Sequence, residues 1–195
     1  LATTTSFTFN QTLIDTGSTW KYLDNGSNQG TAWRATNFND AAWQSGAAEL
    51  GYGDGNEATE LSFGPNSGDK FVTTYFRKSF NVASPQNLDG LKLRLRRDDG
   101  AVVYLNGNEI VRSNMPSGNI NFETSASSVA GGGDETTFYE FELDPDLLVA
   151  GNNVIAVEVH QIVAGGGTVT SSDISFDLEL LGGSVTAGNL GTIYY

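Results

Sequence analysis

The residues able to do chemistry are few, and they gather at three points of the chain. Arg97-Asp98-Asp99 closes one alternating run, His160-Gln161 closes another, and Ser171-Ser172-Asp173 precedes a third. Adjacent carboxylates invite a general acid–base reading. Neighbours on an extended strand point to opposite faces, however, so Asp98 and Asp99 cannot both face one glycosidic bond unless the chain bends sharply. Two other uses stay open for them: opening a turn through side-chain to backbone hydrogen bonds, or contacting a ligand or calcium ion. His160 is the one histidine. A Ser-His-Asp arrangement around it would lack the Gly-x-Ser-x-Gly turn that presents a serine nucleophile. His160 and Gln161 can instead supply donors and acceptors in fixed directions to a sugar, or cap a strand and bond to the neighbouring loop.

Aromatic residues in glycine-rich loops form a second group. Trp33 lies in Gly30-Thr31-Ala32-Trp33-Arg34, and Tyr52 in Gly51-Tyr52-Gly53-Asp54-Gly55. An exposed ring can stack on the C–H face of a pyranose, with Arg34 beside it; the alternative is that Trp33 packs inside. Trp43 is expected in the core beneath a short turn, and Trp20 in or beside an early strand. Asp54, freed by its flanking glycines, is a candidate calcium ligand with Asp173, although the spacing is not that of an EF-hand. Trp33, Arg34, Tyr52, Arg97, Asp98, Asp99, His160, Gln161 and Asp173 are therefore the expected ligand-binding residues, on loops 24–37, 50–56, 97–99 and 160–173.

Composition excludes much else. The 195 residues contain no cysteine and one histidine, which removes disulfide scaffolds, thiolate sites and multi-histidine zinc centres. No apolar run approaches the roughly 18 residues of a spanning helix, so no membrane partner is expected. A net charge of −13 argues against nucleic acid. The charge is unevenly spread, at −6 over 1–69, +6 over 70–97 and −13 over 98–195. Lys92, Arg94 and Arg96 share one strand face. Either acids such as Glu140, Glu142, Glu158, Asp177 and Glu179 neutralise this stripe, or it binds a sulfated or uronate polysaccharide.

The elements that must position these residues read as strands of period two. They cover Phe7–Phe9, Trp20–Leu23, Thr73–Val82, Leu91–Arg97, Ala101–Leu105, Glu109–Val111, Thr137–Leu143, Asn153–His160 and Ile174–Leu181. Asn106-Gly107 between apolar runs signals a hairpin. Short helices are expected only at 39–44 and 144–149, the latter with Asp144 as N-cap and Pro145 in the first position. Many strands, long polar connections and almost no helix predict an all-β, antiparallel β-sandwich over 7–181. Residues 1–6 and 182–195 read as linkers. The chain begins at Leu1 without Met, so a removed signal peptide or excision from a longer protein is expected.

Three motifs carry a resemblance. Asp98-Asp99-Gly100-Ala101-Val102-Val103-Tyr104-Leu105-Asn106-Gly107 resembles the hairpin of galactose-binding-like jelly-roll domains. Gly151-Asn152-Asn153-Val154-Ile155-Ala156-Val157-Glu158-Val159-His160-Gln161 is similar to a late strand of that superfamily, found also in the sugar-binding domain of family 2 glycoside hydrolases. Phe38-Asn39-Asp40-Ala41-Ala42-Trp43 resembles its early Phe-Asp-Asp-x-x-Trp turn, departing at Asn39 and Ala41. The resemblance spans about 20–181 and implies a galactose-binding-like jelly roll. It also implies a non-catalytic carbohydrate-binding module, often with structural calcium, that holds a secreted or cell-surface bacterial polysaccharide-degrading protein on its polysaccharide alongside other domains. A structural or adhesive accessory domain without a sugar site is the alternative, and a hydrolase or lyase a third.

Overall fold

The computed structural model describes residues 7–169 and 171–185. Its strands are β1 (Phe7–Ile14), β2 (Thr19–Leu23), β3 (Gln44–Ala47), β4 (Leu50–Tyr52), β5 (Thr59–Glu60), β6 (Thr73–Val82), β7 (Gly90–Arg97), β8 (Gly100–Leu105), β9 (Asn108–Ser113), β10 (Tyr139–Leu143), β11 (Gly151–His160) and β12 (Ile174–Val185). One sheet runs β10-β7-β12-β4-β5, with β1 also paired to β12. The other runs β3-β2-β6-β11-β8-β9. Pairing is antiparallel except between β4 and β5. The expected β-sandwich is therefore present.

Alternation builds both faces of each sheet. On β7, Leu91, Leu93 and Leu95 are fully buried, while Lys92, Arg94 and Arg96 between them stay partly exposed. The inner faces meet in one core, where Phe76 stacks on Phe176 at 4.1 Å and Trp20 meets the edge of Phe176 at 5.0 Å. Burying side chains of this size contributes about 1.5–3 kcal/mol each. A second apolar cluster forms where the chain before β3 and the chain after β9 fold over Tyr75, Val102, Tyr104 and Ala156 of the second sheet. Trp43 packs there and Trp20 lies in β2, both as the sequence implied.

The outward stripe of β7 is neutralised. Arg94 faces Glu140 and Glu179 across its two neighbouring strands, with ion pairs of 3.3 and 2.5 Å. Lys92 pairs with Glu140 at 2.8 Å, and Arg96 pairs with Glu49. Cross-strand opposite charges remove the like-charge repulsion, so the stripe offers no free basic surface.

Several expectations need correction. The segment 39–44 is a turn, not a helix: Asn39 caps Ala41 N–H at 3.1 Å, Trp43 N–H reaches Asp40 O at 3.0 Å, and β3 then begins at Gln44. At 144–149 the helix is a single 3-10 turn, Pro145–Leu147, with Asp144 accepting from Asp146 N–H as expected. The short strands β3, β4 and β5 lie in stretches too brief and glycine-rich to show alternation. β12 runs on through Gly182–Val185, which pairs with β1 rather than opening a tail. Residues 1–6 and 186–195 of the expected linkers lie outside the described residues.

Candidate functional site

Three strand ends bring the sequence-derived residues to one end of the sandwich. Gln161 follows β11, Asp98 and Asp99 link β7 to β8, and Asp173 precedes β12. His160 pairs with Gly100, Phe176 with Arg97, and Ile174 with Tyr52. Asp98 N–H donates to Ser175 O at 3.1 Å, and Gln161 Nε2 lies 3.4 Å from Asp98 O. Tyr52, Arg97, Asp98, Asp99, His160, Gln161 and Asp173 therefore meet at one end of the sandwich, while Trp33 and Arg34 lie over Tyr104 of the second sheet. Most of them are not accessible.

Trp33 is fully buried, packed on Tyr75 at 4.9 Å and Tyr104 at 5.8 Å, with its indole N–H donating to Gly30 O at 3.1 Å. It presents no face to a pyranose, which corrects the stacking expectation. Arg34 lies over the Tyr104 ring at 4.1 Å and pairs with Glu158 at 3.1 Å. Tyr52 is 6% exposed and packs on Phe63 at 5.5 Å. Arg97 is 6% exposed, donating from Nε to Ser113 Oγ at 3.0 Å with its guanidinium 4.4 Å above Tyr139. His160 and Gln161 are 0% exposed. Loops longer than a hairpin needs have closed over all of them.

Within that closed region the polar groups bind one another. Asp99 is 0% exposed and accepts from Ala130 N–H at 2.6 Å and Ile162 N–H at 2.7 Å. It clamps two distant loops together, a long-range structural role rather than the local turn-opening one expected from sequence. His160 Nδ1 sits 2.8 Å from Thr124 O and 2.9 Å from Thr73 Oγ, and that hydroxyl donates to Phe122 O. A carbonyl only accepts, so Nδ1 carries the hydrogen. Glu158 accepts from Arg34 and from Tyr104 Oη at 2.7 Å, and lies 3.4 Å from His160 Nε2. Burial opposes ionisation of Glu158, but the contacts of His160, Tyr104 and Arg34 outweigh it and hold its pKa below the ordinary value. Glu158 was expected as a possible neutraliser of the β7 stripe, but β11 lies in the other sheet, so it serves this hub instead; alternation places it among outward residues and cannot show that a loop covers them.

The accessible chemistry lies beside this region. Asp54, Glu135 and Asp173 place carboxylate oxygens within 4.8 Å of one another. Gly53 permits the approach: at φ +107, a Cβ there would stand 2.7 Å from Ser172 O and 2.8 Å from Asp173 Cβ. Asp54 and Asp173 were expected as metal ligands, and the fold joins them with Glu135. Glu135 lies on the single helical turn Gly133–Thr136, after three glycines, and only its acidic neighbour Asp134 hinted at it. Asp98 is 1% exposed and its Oδ1 has no hydrogen-bond partner. Burial, the adjacent Asp99, and then Asp173 and Glu135 push the Asp98 pKa up to about 9. Hard oxygens from three loops, with an orphaned buried carboxylate oxygen beside them, suit a divalent cation.

No protein-family model matches the chain, and no curated protein matches it. Solved structures do. The chain is similar to a β-glycosidase from Bacteroides vulgatus, with TM-score 0.51 and 19% identity over 89% of this chain and 20% of that one. It is similar to Bacteroides uniformis β-glucuronidase 2, with TM-score 0.54 and 18% identity over 88% of this chain and 18% of that one. A glycosyl hydrolase family 2 member from Bacteroides cellulosilyticus gives TM-score 0.51 and 13% identity over 84% and 20% of the two chains. The likeness shows the fold, an antiparallel β-sandwich shared with a part of each enzyme. The chain spans about a fifth of the length of each of these enzymes.

Proposed function

We propose that the chain is a non-catalytic carbohydrate-binding module of a secreted or cell-surface bacterial protein that degrades polysaccharide. One observation carries the reading. The fold is held in common, over nearly nine tenths of the chain, with only 18–20% of the length of glycoside hydrolase chains, the size of an accessory domain. The geometry of the aspartate pair supports it: Asp99 spends its carboxylate on two main-chain N–H groups, so it is not a free acid or base for a glycosidic bond. Sugar would meet the loops around Asp54 and Asp173, where Gly53, Gly55, Glu57 and Glu60 line an open hollow.

Calcium belongs to the same reading. Asp54, Glu135 and Asp173 would hold it, supplying hard oxygen ligands and tying together three loops that otherwise repel. The test is retention of the protein on a panel of immobilised polysaccharides with calcium and with a chelator, followed by melting curves in both buffers. Retention with calcium, and a lower Tm with chelator, support the reading.

Burial favours a second reading, a structural or adhesive accessory domain without a sugar site. Seven of the nine residues expected to touch ligand are at most 6% exposed: Trp33, Tyr52, Arg97, Asp98, Asp99, His160 and Gln161. No retention on any polysaccharide with calcium present would select this second reading.

A further inference from the structure

Ten lysines and arginines serve a chain of net charge −13. Among the described residues, six of the ten pair with carboxylates: Arg34, Arg77, Lys92, Arg94, Arg96 and Arg112. Of the other four, Arg97 is buried over Tyr139, and Lys70 lies against the Tyr52 and Phe63 rings with Ser171 O as its acceptor. The last two, Lys21 and Lys78, line the same groove on the second sheet. Arg77, Ser45 and Ser79 line it with them, and Asp40, the one carboxylate there, is bound to Arg77 Nε at 2.9 Å. The groove encloses about 320 Å³, at the lower end of the roughly 300–1,000 Å³ of small-ligand sites.

Sheet topology makes the groove. β2 pairs with β6 only over Tyr75–Arg77, so Lys78 and Ser79 lie past the last rung. Lys78 occupies an inward position between buried Phe76 and Phe80, and its ammonium emerges beside Trp20 to meet Thr19 O at 2.9 Å. Burial lowers its pKa, and the charge of Asp15 works against that. Lys21 Nζ reaches Trp43 O at 3.4 Å. Each ammonium has three N–H groups and one carbonyl acceptor, so donors remain for a ligand. An inward lysine also guards an open sheet edge. That accounts for Lys78, but not for Lys21, which lines the same groove from the neighbouring strand.

We infer that this groove binds the oxyanion of an acidic polysaccharide, a carboxylate or sulfate group held by Lys21 and Lys78 with the Ser45 and Ser79 hydroxyls. The inference rests on the carbohydrate-binding reading and names its ligand class. It moves the anionic site from the neutralised stripe of β7 to the second sheet. With Arg77 matched to Asp40 and Asp15 acting on Lys78, the groove keeps a small positive excess on an acidic surface.

Calorimetry at low ionic strength would compare short oligogalacturonates, their methyl esters and sulfated galactan oligosaccharides. At least one charged ligand should bind about tenfold or more tightly than the ester, with the preference shrinking as salt is added. The arm that binds tells carboxylate from sulfate. A Lys21→Gln, Lys78→Gln double variant with an unchanged melting curve should lose the preference, and Lys92→Gln should keep it. Equal binding of ester and charged ligands, or equal loss in Lys92→Gln, overturns the inference. If no oligosaccharide binds, the carbohydrate reading fails by itself, and inorganic sulfate then judges the groove. Saturable NMR shifts at the Lys21 and Lys78 amides, absent from the double variant, uphold it; no shift overturns it.

Discussion

Asp99→Ala separates a structural carboxylate from a ligand-binding one. The side chain is 0% exposed and accepts from Ala130 N–H at 2.6 Å and Ile162 N–H at 2.7 Å. Hydrogen bonds to a charged group contribute about 1.5–3 kcal/mol each, and deletion leaves both N–H groups without their acceptor. Two such bonds amount to about 3–6 kcal/mol. Asp98, with its pKa raised to about 9, is protonated at neutral pH, so no charge repulsion offsets this loss. For a domain of this size each kcal/mol is about 2–4 °C, so Tm should fall by roughly 6–24 °C. Hydrogen exchange at the Ala130 and Ile162 amides should accelerate together, because one side chain protects both. A melting curve within about 1 °C of the parent with both amides still protected, alongside lost glycan retention, would refute the clamp and restore Asp99 to the ligand site.

Three other outcomes follow from the same geometry. Asp98→Asn should be neutral near pH 4 and increasingly stabilising towards pH 9 in chelator. A carboxyl whose folded pKa is raised from 3.8 to about 9 gives its full stability below 3.8 and loses it as pH rises; paired urea titrations across that range would show it, and a constant difference would contradict it. Trp33→Ala should cost about 3–5 kcal/mol in chemical unfolding, because it empties the centre of the second cluster; a loss under about 1 kcal/mol would mean that the ring is not packed there. Gly53→Ala should separate Asp54 from Asp173, since the new Cβ would stand 2.7 Å from Ser172 O. Its melting curve should lose any response to calcium, and an undiminished response would place the ion elsewhere.

Much of the sandwich was legible because its strands obey a two-residue period. Leu91, Leu93 and Leu95 point inward, and the Asn106-Gly107 turn takes positive φ at both residues, 52° and 89°, as a tight hairpin requires. The neutralised stripe was legible as one of two alternatives, and register chose between them by setting Glu140 and Glu179 opposite Arg94. β4 and β5 were not legible. They span Leu50–Tyr52 and Thr59–Glu60, too short for a period.

For the site, residue types and strand ends identified where polar groups converge, since a strand end must deliver its last side chains to the rim. They could not determine what lies above that rim. Trp33 in a glycine-rich loop and His160 at a strand end read the same whether open or covered, because accessibility depends on how chain segments far apart in sequence fold back. Tertiary structure decided this by packing the chain before β3 and the chain after β9 over the second sheet. It likewise decided charge. Segments of −6, +6 and −13 are fixed by residue order, but which cations keep a free ammonium depends on which strands become neighbours. Lys92, Arg94 and Arg96 found acids across the sheet, while Lys21 and Lys78 line one groove, whose lining carboxylate, Asp40, is already bound to Arg77.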